Sequence, residues 1–306
     1  MIRIGIVSYT LTHREELLIK LLLHHPDVKL HAVITAGKQQ PLSQVFLSLT
    51  GETQLITTTL NREGGELDLD AIDWSEMNMV FAVESTGAVN ADALYSSIRA
   101  KCDTMPIVWV RLKTDTDGLP ELHRRQLVKV PEQVNIPSAS AVASLLALLP
   151  MARNLMVNAP VDVTIERFAT NLPAESQQNV ERAIADTLQE VQSSFNSPVS
   201  VKFCDMSNPR GGMKATVSLT SSVDMEMLRR IYDDYYDDHN FTYVVDRMPE
   251  TTDVIGTNKC LLYLDREGDK VVITSVIDDF IKGDVGNAVH VMNLLFGLHE
   301  LVGLTL

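Results

Sequence analysis

Cysteine is scarce in this sequence, and its placement excludes two common roles. The 306 residues include three cysteines, Cys102, Cys204 and Cys260, which are widely spaced and form neither a CxxC pair nor a disulfide framework. That usage is consistent with a reducing compartment. No group of cysteines and histidines has the spacing of a zinc site, so we expect no metal.

Positive charge and long apolar segments are also in short supply. The formal net charge is −14, which argues against unaided binding to nucleic acid or to an anionic membrane, because both require a basic face. The longest apolar-rich stretch, residues 138–151, is shorter than the about 20 residues needed to cross a bilayer. The first ten residues, MIRIGIVSYT, lack the pattern of a secretory signal peptide. We therefore expect a cytoplasmic protein with neither nucleic acid nor a membrane as partner.

What the sequence does contain predicts two domains. Its hydrophobic content of 45% is enough for two cores, at about 150 residues per domain. In the first half, apolar runs predict strands and helical spacing predicts helices; the strands are 2–7, 29–35, 79–83 and 107–110, and the helices are 15–24 and 90–100. Strand, helix and strand within about 35 residues form a βαβ unit, which implies a parallel sheet. The first half is therefore predicted to be α/β and doubly wound.

The second half has a different pattern, in which whole helices interrupt a series of strands. The predicted strands are 161–167, 199–203, 213–220, 260–265 and 270–276, and the predicted helices are 139–149, 177–195, 224–235 and 286–296. Such an order is typical of an α+β domain with a mixed or antiparallel sheet.

The end of the chain carries the most specific motif. Residues 277–283 read Ile-Asp-Asp-Phe-Ile-Lys-Gly, and Gly286, Ala288, Met-Asn-Leu at 292–294 and Phe-Gly-Leu at 296–298 follow. This segment closely resembles the last segment of N-acetyl-gamma-glutamyl-phosphate reductases. Shorter motifs of that family match in order along the chain: LLLHHP at 21–26, Arg111-Leu112-Lys113, GLPEL at 118–122, Arg210-Gly211 and GTNKC at 256–260.

The resemblance implies a fold and a set of site positions. It implies a Rossmann-like domain over residues 1–150, completed by 284–306 including a C-terminal helix that returns to it, and a second α+β domain over 151–283 that mediates dimerisation. It also implies a homodimer or homotetramer, and a reductase reaction of arginine biosynthesis that uses NADP. Four basic residues match family positions around the substrate, namely Arg111, Lys113, Arg210 and Lys282. Gly283 and Gly286 match positions beside the cofactor.

The cofactor loop departs from the family pattern. The family has GxxGxxG after its first strand, and counting from Gly5 the three glycines fall on Ser8, Leu11 and Arg14. The glycines normally let the backbone approach a pyrophosphate and let the helix pack on the strand. Arg14 could still attract an anion. No acidic residue ends the second strand to hold a ribose, and Lys38 either serves a 2′-phosphate or is simply solvated.

The positions of the family's nucleophile and base also differ from the family pattern. Ser138 occupies the position of the family's cysteine, in an Asn-Ile-Pro-Ser stretch at 135–138, and we expect it to act as a helix N-cap. A serine hydroxyl needs an adjacent base to attack, whereas a thiol at a helix N-terminus ionises near neutral pH. The loop 171–176 replaces the family's histidine-containing stretch and has no histidine.

Two hypotheses of function follow. The first is a catalytically inactive homologue, a pseudoenzyme without a cofactor, that acts as an oligomeric regulatory or structural protein, alone or with an active relative. The alternative is an NAD(P)-dependent reductase or semialdehyde dehydrogenase with an altered cofactor pose or altered chemistry on an anionic acyl substrate. In either case the four basic residues could bind an anionic metabolite.

Overall fold

A computed structural model describes residues 1–306 except 60, 61, 64, 65, 68, 70, 71, 85–90, 111–113, 169–174 and 207–210. The expected site residues Arg111, Lys113 and Arg210 and most of the 171–176 loop lie outside the described residues. Within the described ranges, no helix is both long and apolar enough to cross a membrane.

The first half of the chain forms a six-stranded parallel sheet. Its elements are β1 (Ile2–Ser8), α1 (His13–Leu23), β2 (Val28–Thr35), α2 (Leu42–Val45), β3 (Thr58–Thr59), β4 (Arg62–Glu63), β5 (Glu66–Leu67), β6 (Met79–Val83), α3 (Ala91–Lys101), β7 (Ile107–Val110), α4 (Pro120–Leu127) and β8 (Gln133–Ile136). The strand order is β3-β2-β1-β6-β7-β8, while β4 and β5 form a separate antiparallel pair. Every residue of β6 and β7 is buried, as expected of parallel strands that are covered on both faces.

The second half forms a six-stranded mixed sheet. Its elements are α5 (Ala139–Arg153), β9 (Val161–Phe168), α6 (Gln177–Val191), β10 (Val199–Met206), β11 (Met213–Thr220), α7 (Met225–Tyr236), β12 (Thr242–Val245), β13 (Cys260–Glu267) and β14 (Lys270–Ile277). The strand order is β10-β9-β11-β14-β13-β12, with parallel pairs at its two ends and antiparallel pairs between.

The chain then returns to the first sheet. A π-helical turn, Ile281–Val285, leads into α8 (Gly286–Leu295), every residue of which is buried. Val289 and Met292 of α8 belong to the same apolar cluster as Ile4 and Val108 of the parallel sheet. The predicted architecture, a Rossmann-like sheet with a second α+β unit and a returning C-terminal helix, is therefore confirmed.

Helix α5 connects the two halves. It is apolar around its whole circumference and buried from Ala139 to Ala152, so it is an interior helix rather than a surface one. Its side chains share a cluster with residues of the mixed sheet such as Val217 and Ile273. The expected domain limit at residue 150 falls inside this helix.

Candidate functional site

The loop after β1 is closed by a carboxylate from the protein itself. Glu15 is fully buried at the start of α1, where Glu15 Oε2 accepts hydrogen bonds from the backbone N–H of Thr12 at 2.8 Å and from Thr12 Oγ1 at 2.6 Å. Ser8 Oγ, at the first replaced glycine position, donates to Glu15 Oε1 at 2.8 Å. The Thr12 hydroxyl in turn accepts from the backbone N–H groups of Arg14 and Glu15, and the second of these contacts completes a capping box.

This arrangement does not fit a dinucleotide in the usual pose. A helix N-terminus binds phosphate because its first N–H groups lack partners within the helix and its dipole favours negative charge. Here the Thr12 and Glu15 side chains accept from the N–H groups of Thr12, Arg14 and Glu15, and the Glu15 carboxylate already supplies a negative charge. A pyrophosphate at this point would lie against a buried carboxylate.

Arg14, at the third replaced glycine position, is bound inside the protein. It is 5% exposed, and its Nε and Nη2 donate to the two carboxylate oxygens of Asp284 at 2.5 and 2.7 Å. Its Nη1 donates to the carbonyl of Glu84 at 3.1 Å. Burial raises the pKa of the Asp284 carboxyl, and the two guanidinium hydrogen bonds oppose that rise. With both oxygens held, the ionised pair is the state that the geometry supports, so the Arg14 charge is neutralised by Asp284.

A cavity of about 370 Å³ remains beside this loop, where β1 and β2 end. Leu11, at the second replaced glycine position, lines it together with Tyr9, Gly37, Thr57 and the exposed Lys38. In a sheet of this strand order, ligands bind outside the carboxyl ends of the strands. The cavity therefore has the location of a nucleotide site, while Glu15 is bound to Ser8 and Thr12 in the adjoining loop and does not line it.

Ser138 lies at the first turn of α5 as its N-cap residue. Its hydroxyl accepts from the backbone N–H of Ala141 at 3.4 Å, and the residue is 8% exposed. Glu175 lies beside it and accepts from the backbone N–H of Ser140 at 3.4 Å. Burial raises the pKa of Glu175, while hydrogen bonds from the side chains of Ser140 and Ser138 act to lower it. The serine thus stabilises the helix start and lies next to a carboxyl group.

We expect Ser138→Ala to lower the free energy of unfolding by about 1 kcal/mol, the usual cost of losing an N-cap side chain. Urea unfolding measures the loss, and Ser193→Ala, at an exposed serine, is the matched control with an effect near zero. An unchanged free energy in Ser138→Ala would show that the cap contributes nothing.

Lys282 is a buried ion-pair partner. It is 0% exposed, and its Nζ lies 2.5 Å from Glu121 Oε1 and 5.6 Å from the centre of the Phe241 ring. Burial disfavours ionisation of Glu121, but the nearby Lys282 ammonium outweighs it and lowers the pKa of Glu121 to about 2. The ammonium thus joins the turn before α8 to α4, and the Glu121 carboxylate balances its charge.

The two glycines of the same segment are required by packing. A Cβ atom on Gly283 would lie 2.5 Å from the Cβ of Ala139, and one on Gly286 would lie 2.6 Å from Ile281. Both separations are shorter than any normal carbon–carbon contact. Gly283 lets the π-helical turn approach α5 closely, and Gly286 leaves room for Ile281 and Asn258, so packing accounts for both glycines without a cofactor.

Sequence reasoning missed the carboxylates that occupy this region. Glu15 had a readable signal, because Thr12 and Glu15 form the T-x-x-E pattern of a capping box. Asp284 and Glu121 had none, since their partners Arg14 and Lys282 are distant in sequence. Among the residues that the structure describes, no three His, Cys, Asp or Glu side chains could together hold a metal ion.

Comparison with known proteins connects this geometry to one family. The chain is 31% identical to the N-acetyl-gamma-glutamyl-phosphate reductase of Parabacteroides distasonis, in an alignment that covers 100% of this chain and 98% of the relative. It is 32% identical to the reductase of the same name from Bacteroides thetaiotaomicron, with the same coverage. The chain belongs to the N-acetyl-gamma-glutamyl-phosphate reductase family. The family model described as semialdehyde dehydrogenase, dimerisation domain, matches residues 181–279.

Solved structures support the fold of this family member. The chain matches aspartate semialdehyde dehydrogenase II from Vibrio cholerae with a TM-score of 0.66 at 12% identity, over 96% of this chain and 98% of that one. A probable aspartate-semialdehyde dehydrogenase from Pseudomonas aeruginosa matches with the same TM-score and coverage at 16% identity. At these identities the likeness establishes the architecture alone.

Proposed function

We propose that this member of the reductase family does not reduce an acyl phosphate with NADP and acts instead as an oligomeric regulatory or structural protein. The observation that carries the proposal is the buried Glu15 carboxylate, which is bound by Ser8 and Thr12 in the loop that corresponds to the family's glycine-rich loop. Because it accepts three hydrogen bonds and is fully buried, no simple side-chain rotation would free the site.

The nucleophile position supports the same proposal. A thioester mechanism needs a thiolate, and this position holds Ser138, whose hydroxyl caps α5. Cys260 offers no replacement, because it is fully buried and burial raises the pKa of its thiol to about 12. Such a thiol stays protonated at neutral pH.

An assembly role is supported by the match to a dimerisation domain at residues 181–279. We propose a homodimer or homotetramer that forms through the second domain, within residues 151–283, in the cytoplasm. A mixed oligomer with an active relative is the regulatory form of this proposal.

The alternative, an NAD(P)-dependent enzyme with an altered cofactor pose, is favoured by one observation. The cavity at the ends of β1 and β2 is open and includes the exposed Lys38. A nucleotide could enter it only if its phosphates avoided Glu15.

Calorimetric titration with NADPH and NADH, combined with a reductase assay on N-acetyl-gamma-glutamyl phosphate, tests the proposal. We expect no heat of binding at millimolar cofactor and no NADPH oxidation, with the Parabacteroides distasonis reductase as the positive control. Turnover by this chain would overturn the proposal, and micromolar binding without turnover would favour the alternative. Light scattering of the purified protein would test the assembly, and a monomer at all concentrations would contradict it.

A further inference from the structure

A second cavity, of about 410 Å³, shares no lining residue with the cavity at β1 and β2. We call it the helix-end pocket. One wall is α4, from Glu121 to Gln126, and the others are the last turns of α5, α6 and α7 with the residues just after α7; these contribute Arg153, Glu190, Val191, Tyr235, Asp238 and His239. Its residues come from four helices, so its shape is fixed by packing rather than by a loop.

One part of the pocket favours a cationic group. The carbonyl ends of α5, α6 and α7 meet there, and each helix C-terminus carries a partial negative charge equivalent to about half an electron. Glu121 is buried, and its Oε1 is held by Lys282, but its Oε2 has no hydrogen-bond partner in the described part of the chain. Glu190 adds an exposed carboxylate to the same lining.

Another part favours a carboxylate. Arg125 and Arg153 both line the pocket and are exposed, and within the described part of the chain neither forms an ion pair. The neighbouring Arg124 differs, since it is bound to Asp238 at 2.9 Å and also to Glu300. Two guanidinium groups without carboxylate partners beside one cavity are suited to bidentate binding of a carboxylate.

His123 gives the pocket a buried polar wall. It is 7% exposed, its Nε2 has no hydrogen-bond partner among the residues that the structure describes, and its backbone angles of φ −110° and ψ 17° depart from those of the helix around it. Burial lowers the pKa of His123, so the ring is neutral near pH 7. A neutral imidazole can donate to or accept from a ligand without adding charge.

We propose that the helix-end pocket binds a zwitterion with the chemistry of a free α-amino acid. Its carboxylate would be held by Arg125 and Arg153, and its ammonium by Glu121 Oε2, Glu190 and the helix ends. A site with separate positive and negative groups selects a ligand that carries both charges over one that carries either alone. The proposal goes beyond the proposed function, because it gives a regulatory protein a ligand class and stands whether or not NADPH binds.

Titration calorimetry of the whole protein with each of the twenty standard L-amino acids tests this proposal. Glutarate, with two carboxylates and no amine, and cadaverine, with two amines and no carboxylate, are the single-charge controls. We expect at least one amino acid to bind and neither control to bind. If no amino acid binds, or if glutarate binds as well as the best amino acid, the zwitterion site is wrong.

Two variants test whether any binding occurs in the pocket. Arg153→Gln and Glu190→Gln change exposed side chains, so both variants should fold. Each should weaken the affinity for the amino acid by about tenfold or more, because each loses one hydrogen bond to a charged group. Arg182→Gln is the matched control, because Arg182 is an exposed α6 residue that does not line the pocket. Equal affinity in Arg153→Gln and the control would overturn the assignment, and NADPH titrations of the same variants would keep this result separate from the test of the proposed function.

Discussion

Replacing Lys282 by methionine should lower the free energy of unfolding by about 3–5 kcal/mol, the cost of leaving one charge of a buried pair without its partner. Lys282 is 0% exposed, and its only ion pair is with Glu121, at 2.5 Å, among the described residues. Methionine preserves most of the side-chain volume, so the loss reports the missing charge rather than a cavity. Urea unfolding at pH 7 measures it.

The loss should depend on pH in a definite direction. In the wild type the pKa of Glu121 is lowered to about 2, so its contribution is full above the ordinary carboxyl pKa of about 4.3 and disappears as the pH falls toward 2. Without Lys282 burial is the largest influence on Glu121, opposed by His290 and His239, and its folded-state pKa should rise above the unfolded value. The variant therefore gains stability as the pH is lowered, and the difference from wild type should be smaller at pH 4 than at pH 7.

Two further variants make this test specific. Lys270→Met breaks an exposed pair with Asp162 and should cost less than about 1 kcal/mol. The double variant Lys282→Met/Glu121→Gln removes both charges and should recover a large part of the loss, because no unpaired charge stays buried. A loss below 1 kcal/mol in Lys282→Met, or no recovery in the double variant, would contradict the role assigned to the pair.

The strands that sequence predicted best are either buried throughout, as β6 and β7 are, or alternate between buried and more exposed residues, as β11 does. The predicted limits 79–83, 107–110 and 213–220 agree with β6, β7 and β11 at both ends. Among the described residues, seven elements were not predicted, namely α2, β3, β4, β5, α4, β8 and β12. Each is short, and β8 alternates polar Gln133 and Asn135 with two apolar residues, so too few residues carry a periodic signal. Tertiary contacts determine whether such short elements form.

In the candidate site, too, contacts between residues close in sequence could be predicted, whereas contacts between residues far apart in sequence could not. The serine cap of α5 and the capping box of α1 depend on residues within four positions of each other, and their patterns can be read from the sequence. The charge pairs cannot, because Arg14 and Asp284 are 270 positions apart and Glu121 and Lys282 are 161 apart. Sequence alone therefore cannot assign a ligand-binding role to a cationic residue, because a carboxylate that is distant in sequence can neutralise its charge.

The Arg14–Asp284 pair should give a second large effect on the free energy of unfolding. Arg14→Met should lower the free energy of unfolding by about 3–5 kcal/mol, because Asp284 would remain buried with both oxygens unpaired. The variant should gain no affinity for NADPH, since Glu15 still occupies the start of α1. Burial raises the pKa of Asp284, and without the guanidinium it should rise further, so the loss should be smaller at pH 4 than at pH 7.

The matched control is Arg3→Met, which removes the same group from an exposed pair. The side chains of Arg3 and Glu76 are 42% and 52% exposed, so its loss should stay below about 1 kcal/mol. Urea unfolding gives both stabilities, and calorimetric titration with NADPH gives the affinity. If Arg14→Met bound NADPH where the wild type did not, Arg14 rather than Glu15 would be the group that closes the loop. If it unfolded no more easily than Arg3→Met, the Arg14–Asp284 pair would not be the contact that holds α1 to the turn before α8.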